Sequence, residues 1–112
     1  MKTKEIAIAK DFSIAPAGRY LTDGNYSGER FRDEILYPSL QENDAVIVNL
    51  DGTLGYGSSF LEEAFGGLIR EKKMTLDVVR QKLKVISSRK LYQNRVESYL
   101  NDAEVIASKD RK

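Results

Sequence analysis

The chain opens with a short-period alternation of apolar and polar residues. In KEIAIAKDF, residues 4–12, Ile6 and Ile8 alternate with small residues beside lysine and glutamate, which predicts a first strand. Turn formers follow in APAGRYLTDGNYSG, and Arg19-Tyr20-Leu21 reads as a short second strand closed by the Asp23-Gly24 turn. From Ser27 the period becomes helical. Ser27 is a suitable N-cap, Glu29 and Asp33 suit the first turns, and Phe31, Ile35 and Leu40 trace one face. Pro38 falls inside that run and predicts a kink or an end near Tyr37.

DAVIVNLDG, residues 44–52, is the clearest strand. Its continuous apolar run, Ala45 to Val48, predicts a central strand covered on both faces. After the loop GYGSS, the residues Phe60, Leu61, Ala64, Phe65, Leu68 and Ile69 recur at helical intervals. Gly66-Gly67 in the middle of that helix costs roughly 1 kcal/mol per glycine relative to alanine, which implies close packing or local flexibility. A short helix over about 75–81 capped by Thr75, a fourth strand Leu83–Ser87 and a last helix from about Arg89 to Ala107 complete the chain. Tyr92, Val96, Tyr99, Ala103 and Ile106 share one face of that last helix. The pattern predicts an α/β domain with a mixed four-stranded sheet, its first two strands antiparallel, in the order ββαβα(α)βα.

Length and charge narrow the reading. With 112 residues the chain suits a single domain over 1–108, with 109–112 a frayed tail. Its 18 basic and 17 acidic side chains balance, so no general attraction to nucleic acid or membrane is expected. No membrane span and no signal-peptide core are visible, and the lack of cysteine suits the cytoplasm. There is no histidine, which removes Ser-His-Asp triads and most zinc sites. No metal or cofactor is expected. An enzyme built on Asp51, Glu62 or Glu63 would lack a companion base, so a non-enzymatic role is favoured.

The candidate chemistry concentrates in GYGSSFLEEAFGG, residues 55–67. Ser59-Phe60-Leu61-Glu62 matches the S-x-x-E capping box, which by itself accounts for Ser59. A dinucleotide loop fails because Phe60 stands where a glycine is required, a P-loop lacks its Gly-Lys pair, and the hydrolase elbow is absent. What remains is a pair of hydroxyls at a helix start beyond the end of a central strand. Such a position favours a phosphate group, bound or attached. Arg19, Arg30 and Arg32, near the start of the first helix, are candidates to hold an anion or an acidic partner loop; in the plainer reading Arg30 and Arg32 are solvated or paired locally with Glu29, Asp33 or Glu34.

The run VIVNLDGTLGYGSSFLEEAFGGLIREK resembles the phosphorylation-site region of STAS domains, the fold of bacterial anti-sigma-factor antagonists. Together, GRYLTDGNYSGERFRDEIL and GSSFLEEAFGGL resemble more closely a STAS-like family without an assigned function, over roughly residues 12–72. The resemblance implies a STAS-like sandwich and a regulatory protein-interaction role. The partner it implies is a GHKL-type ATPase or kinase, which would phosphorylate Ser59 or, failing that, Ser58. Gly55, Tyr56, Gly57, Phe60, Glu62 and Glu63 would form the docking surface. A small-ligand or nucleotide/phosphate-sensing domain is the alternative. Partner identity, signal and oligomeric state are not encoded in any recognisable motif.

Overall fold

The computed structural model describes residues 1–111. Strands β1 (Thr3–Ala7), β2 (Ala45–Asn49) and β3 (Leu83–Ile86) form one parallel sheet in the order β1-β2-β3. A short helical turn, α1 (Ile8–Asp11), follows β1. Parallel neighbours require crossovers, and helices supply them. Helix α2 joins β1 to β2 and has three parts: Gly28–Phe31, a π turn Arg32–Leu36, and Tyr37–Glu42. Helix α3 follows β2 and repeats that plan, with Ser58–Leu61, a π turn Glu62–Gly66, and Gly67–Arg70. Helix α4 (Leu76–Lys82) leads into β3, and α5 (Lys90–Asp110) closes the chain.

The sheet therefore has three strands rather than four, and none of its pairings is antiparallel. The segment expected as a second strand instead folds on itself. The Asp23 carboxylate accepts from the amides of Arg19 (3.2 Å) and Tyr20 (2.8 Å), closing a 3₁₀ turn over Leu21–Asp23. The Gly18 and Arg19 carbonyls accept from Gly28 and Glu29 at 3.0 Å each, and Glu29 takes the Leu21 amide. Backbone groups that a strand would offer to a ladder are already satisfied locally.

β2 is central, as expected, but the sheet is not covered equally on both faces. Ile6, Val46 and Val48 point into the core in register with Leu83 and Val85 of β3. The opposite face carries the row Glu5–Ile47–Lys84, in which the two charged residues are exposed and Ile47 is half-buried. A strand order of 1-2-3 with same-handed crossovers puts both helical connections on one side, which explains the unequal burial.

The π turns alter which residues meet the core. A plain α-helix would follow Phe31 with Ile35, but the extra residue in the turn brings Leu36 inward instead, fully buried, while Ile35 is only partly covered. The Tyr37 amide donates to the Arg32 carbonyl, the i to i−5 bond of the wider turn. Pro38 lies just after it, and the helix runs through to Glu42 rather than stopping near Tyr37. Loosening the ladder where proline offers no N–H accommodates the ring without ending the helix.

Helix α3 is the centre of the molecule. It packs against α2 and α5, and Phe60, Leu61, Ala64, Phe65, Leu68 and Ile69 are all essentially inaccessible. Aromatic rings connect its surroundings: Phe31 lies 6.1 Å from Phe60 and 6.4 Å from Phe65 between centroids, and Tyr56 lies 5.7 Å from Phe60. On α5 the buried face is Val96, Leu100 and Ala103, whereas Ile106 is 64% exposed and does not join it. Of the terminal residues expected to fray, Lys109 and Asp110 are helical, and Lys112 lies outside the described residues. The Ser27 and Thr75 N-caps form as expected, accepting from the amides of Arg30 (3.2 Å) and Val78 (3.3 Å). Among the described residues, no helix is long and apolar enough to cross a membrane.

Gly28 marks a close backbone approach of α2 to α3: a methyl group there would lie 2.5 Å from the Phe60 carbonyl oxygen and 3.1 Å from the Ala64 nitrogen. Both obstacles are backbone and cannot rotate away. Gly28→Ala should therefore cost about 1–3 kcal/mol, read as a lower urea midpoint at unchanged slope.

Candidate functional site

The loop from Leu50 to Gly57 leaves the carboxyl end of the central strand. Gly52 (φ 96°) and Gly55 (φ 137°) turn it in backbone conformations that side chains disfavour. Its base is fastened on two sides. The Asp51 carboxylate accepts from the Ser88 amide (2.8 Å) and hydroxyl (2.9 Å), tying the loop to the segment after β3. The Ser88 amide, and next its hydroxyl, hold the Asp51 carboxyl below the ordinary range. On the other side the Leu54 amide donates to the Ile14 carbonyl at 2.7 Å. A polar hollow of about 210 Å³ lies between Gly52–Gly55 and Ser88–Tyr92.

Tyr56 is the pin. It is buried, its hydroxyl donates to the Leu50 carbonyl (2.7 Å), and its amide donates to the Tyr92 hydroxyl (3.3 Å). The two rings meet edge to face at 5.1 Å. Burial pushes the Tyr56 phenol up to about 12. This residue shapes the loop from within and is not part of its outer surface.

α3 then begins at Ser58, with Gly57 as a backbone-only cap. The expected capping box between Ser59 and Glu62 does not form. Ser59 sits inside the first turn instead of at its edge, and Glu62 is drawn the other way by arginines. Ser58 and Ser59 are both exposed, and neither hydroxyl has a hydrogen-bond partner among the described residues. The other residues expected on a docking surface divide. Gly57 is exposed and Gly55 half-buried, but Phe60 and Glu63 are buried and Glu62 is engaged in ion pairs.

The exposed apolar residues here are ones the sequence pattern did not single out. Leu54 is 83% exposed and Ile14 is 59% exposed, and the backbone bond between them holds the two together at the loop that leads to the serines. Leu54 follows Gly52 with no periodicity around it, and Ile14 lies among turn formers, so neither gives a pattern signal.

The arginines do not converge on the serines. Arg30 is half-buried at the surface, pairing with Glu34 at 3.1 Å and donating to the Asn25 carbonyl. Arg19 reaches across to Glu62 and, at 3.2 Å, to Glu63. Arg32 is buried against Glu63, with Nη1 2.5 Å from Oε2 and 3.1 Å from the Glu63 carbonyl, while its Nε donates to Asp33 at 2.9 Å. Arg70, overlooked in the sequence, completes the cluster with both Glu62 (2.6 Å) and Glu63 (3.0 Å), and Lys72 joins Asp33 at 3.2 Å.

Opposite charges thus alternate from Arg19 to Lys72 across the α2–α3 interface. Gly67 makes the room: a methyl there would collide with the Arg32 guanidinium. Burial alone would lower the Arg32 pKa, but its bonds to Asp33 and Glu63 hold it above the ordinary value. Burial likewise tends to raise Glu62 and Asp33. Arg70 and Arg19 reverse this for Glu62, and Arg32 and Lys72 for Asp33, so both carboxyls titrate below their usual range. The arrangement is a charge-satisfied clamp rather than an open anion site.

A parallel α/β domain with one helix enclosed by its neighbours and an exposed hydroxyl pair at that helix's start is the class of protein these features define. The model for a STAS-like domain of unknown function matches residues 27–93, more than half of the chain, and the protein belongs to that family. The matched span runs from the N-cap of α2 through the loop, α3 and β3 into the start of α5. No curated protein and no solved structure matches the chain.

Arg32 and Glu63 are each about 4% exposed, so truncating one strands the other. Glu63→Ala should cost about 3–5 kcal/mol in urea denaturation, whereas Arg30→Ala at the exposed pair should cost under about 1 kcal/mol. The depressed carboxyls also set a pH dependence. Their contribution is complete above the ordinary carboxylate pKa and is lost as pH falls through the lower folded values. Stability should therefore decline progressively as pH falls below about 5, and Glu62→Gln should make that decline shallower.

Proposed function

We propose that this protein is a non-enzymatic regulatory module that binds a partner protein through the Leu54–Ser59 loop and the start of α3. The observation that carries the reading is the pair of exposed, uncommitted hydroxyls on Ser58 and Ser59. A serine that served only as a cap would have its oxygen engaged by a helix amide. Leu54 and Ile14 supply exposed apolar contact area at the loop that leads to that pair. Tyr56 and the Arg–Glu clamp keep the loop and helix in one arrangement, which limits the ordering cost of binding.

The partner we propose is a GHKL-type ATPase or kinase in a bacterial cytoplasm, with Ser59, or Ser58, as the phosphoacceptor. A phosphate there would add about −1.5 to −2 charge at the positive end of the helix dipole, so the fold would tolerate it. The same charge would fall on the docking surface and oppose binding. Modification would act as a switch on binding without unfolding the domain.

Affinity capture from host cells, with the bait read by intact mass, tests this. Wild-type protein should retain a partner that Leu54→Asp and Ser59→Asp both lose, and part of the bait should carry one phosphate that Ser59→Ala removes. Ser59→Asp should keep or raise the melting temperature, since a charge at a helix start contributes about 0.3–1 kcal/mol. Equal capture by wild type and both variants would overturn the proposal.

A further inference from the structure

Away from the loop, α3 and the C-terminal half of α5 do not close fully on each other. Between them lies a cavity of about 460 Å³ with an apolar wall of Ile69, Ala103, Ile106 and Ala107. Clefts that take small molecules commonly span roughly 300–1,000 Å³ and combine an apolar wall with a few polar groups. Ala103 and Ala107 are one turn apart and too short to fill the gap. Ile106, 64% exposed, lines the cavity from the solvent side.

The charges around the cavity are not evenly available. Arg70 is engaged by Glu62 and Glu63, and Arg111 by Glu104 at 2.5 Å. Lys73 donates to the Arg70 carbonyl at 3.0 Å and forms no ion pair among the described residues. Against that one ammonium stand Glu71, Asp102 and Asp110, exposed carboxylates lining the cavity that likewise form no ion pair among the described residues. A bound anion would meet three unneutralised carboxylates, with both arginines already occupied. A cation would meet the reverse.

We propose that this cavity binds a small lipophilic cation: an apolar body lying chiefly on Ile106 and Ala107 over the buried Ile69 and Ala103, with its protonated amine drawn to the carboxylate rim of Asp102, Asp110 and Glu71. The apolar body supplies most of the affinity and the carboxylates supply the sign. The site is separate from the Leu54–Ser59 surface, and its existence does not depend on any partner binding there.

Three probes of one shape test it: phenethylamine, phenethyl alcohol and 3-phenylpropionate, each titrated into the full chain while backbone amide shifts are followed by NMR. The amine should shift the amides of Ile69, Ala103, Ile106 and Ala107 saturably. It should bind at least about threefold tighter than the alcohol, with the propionate weakest. Asp102→Asn, at an exposed position that leaves the core intact, should reduce the amine's advantage over the alcohol by about twofold to fivefold. Ala107→Phe should fill the cavity and weaken all three probes, and Ile106→Ala, on the solvent side, should weaken all three even if the filled variant fails to fold. Equal binding of amine and propionate, shifts centred elsewhere, or no saturable shift with any probe would each overturn the proposal.

Discussion

The contact between Arg32 and Glu63 organises the rest of the structure. Each belongs to a π turn, one in α2 and one in α3, and both are buried where the two helices face each other. An ion pair in such a place requires further hydrogen bonds to offset the loss of water. Asp33, the Glu63 carbonyl, Arg19 and Arg70 provide them. The wider turns and Gly67 give the guanidinium room, so a local departure from α geometry and a buried charge cluster explain one another.

This clamp has consequences for the start of α3. Because Glu62 faces Arg19 and Arg70, it does not reach back to the helix start, and Gly57 rather than a serine provides the cap. The hydroxyls of Ser58 and Ser59 are left facing water as a by-product of charge satisfaction deeper in the helix. Tyr56 works from the other end, buried between Leu50 and Tyr92. The loop carrying Leu54 is therefore presented by an interior fixed on both sides of it, which suits recognition by a partner.

Much of the architecture is legible in local patterns. The apolar run Ala45–Val48, the helical stripe from Phe60 to Ile69, and the caps at Ser27 and Thr75 depend on near neighbours and appear where periodicity puts them. Gly66-Gly67 carries a legible warning of close packing, and Gly67 meets it against Arg32. Other features are not legible because their cause is distant in the chain. Arg19–Leu21 has strand-like composition, yet Asp23 and the start of α2 take its backbone bonds. Leu36 replaces Ile35 in the core only because a π turn forms, and no residue type announces one.

The candidate site divides along the same line. Composition alone removes histidine and cysteine chemistry, since a residue type absent from the chain cannot act within it. The order of residues around Ser58 and Ser59 is likewise enough to carry the STAS-like resemblance, and the family match bears that out. Which hydroxyls are free, and which arginines are occupied, depends on side chains tens of positions apart meeting across helices. Arg19 and Glu62, or Arg32 and Glu63, have no relation along the chain that would pair them. Periodicity reports the face a residue shows to its neighbours; burial and charge compensation are properties of the assembled interior, and only the tertiary structure sets them.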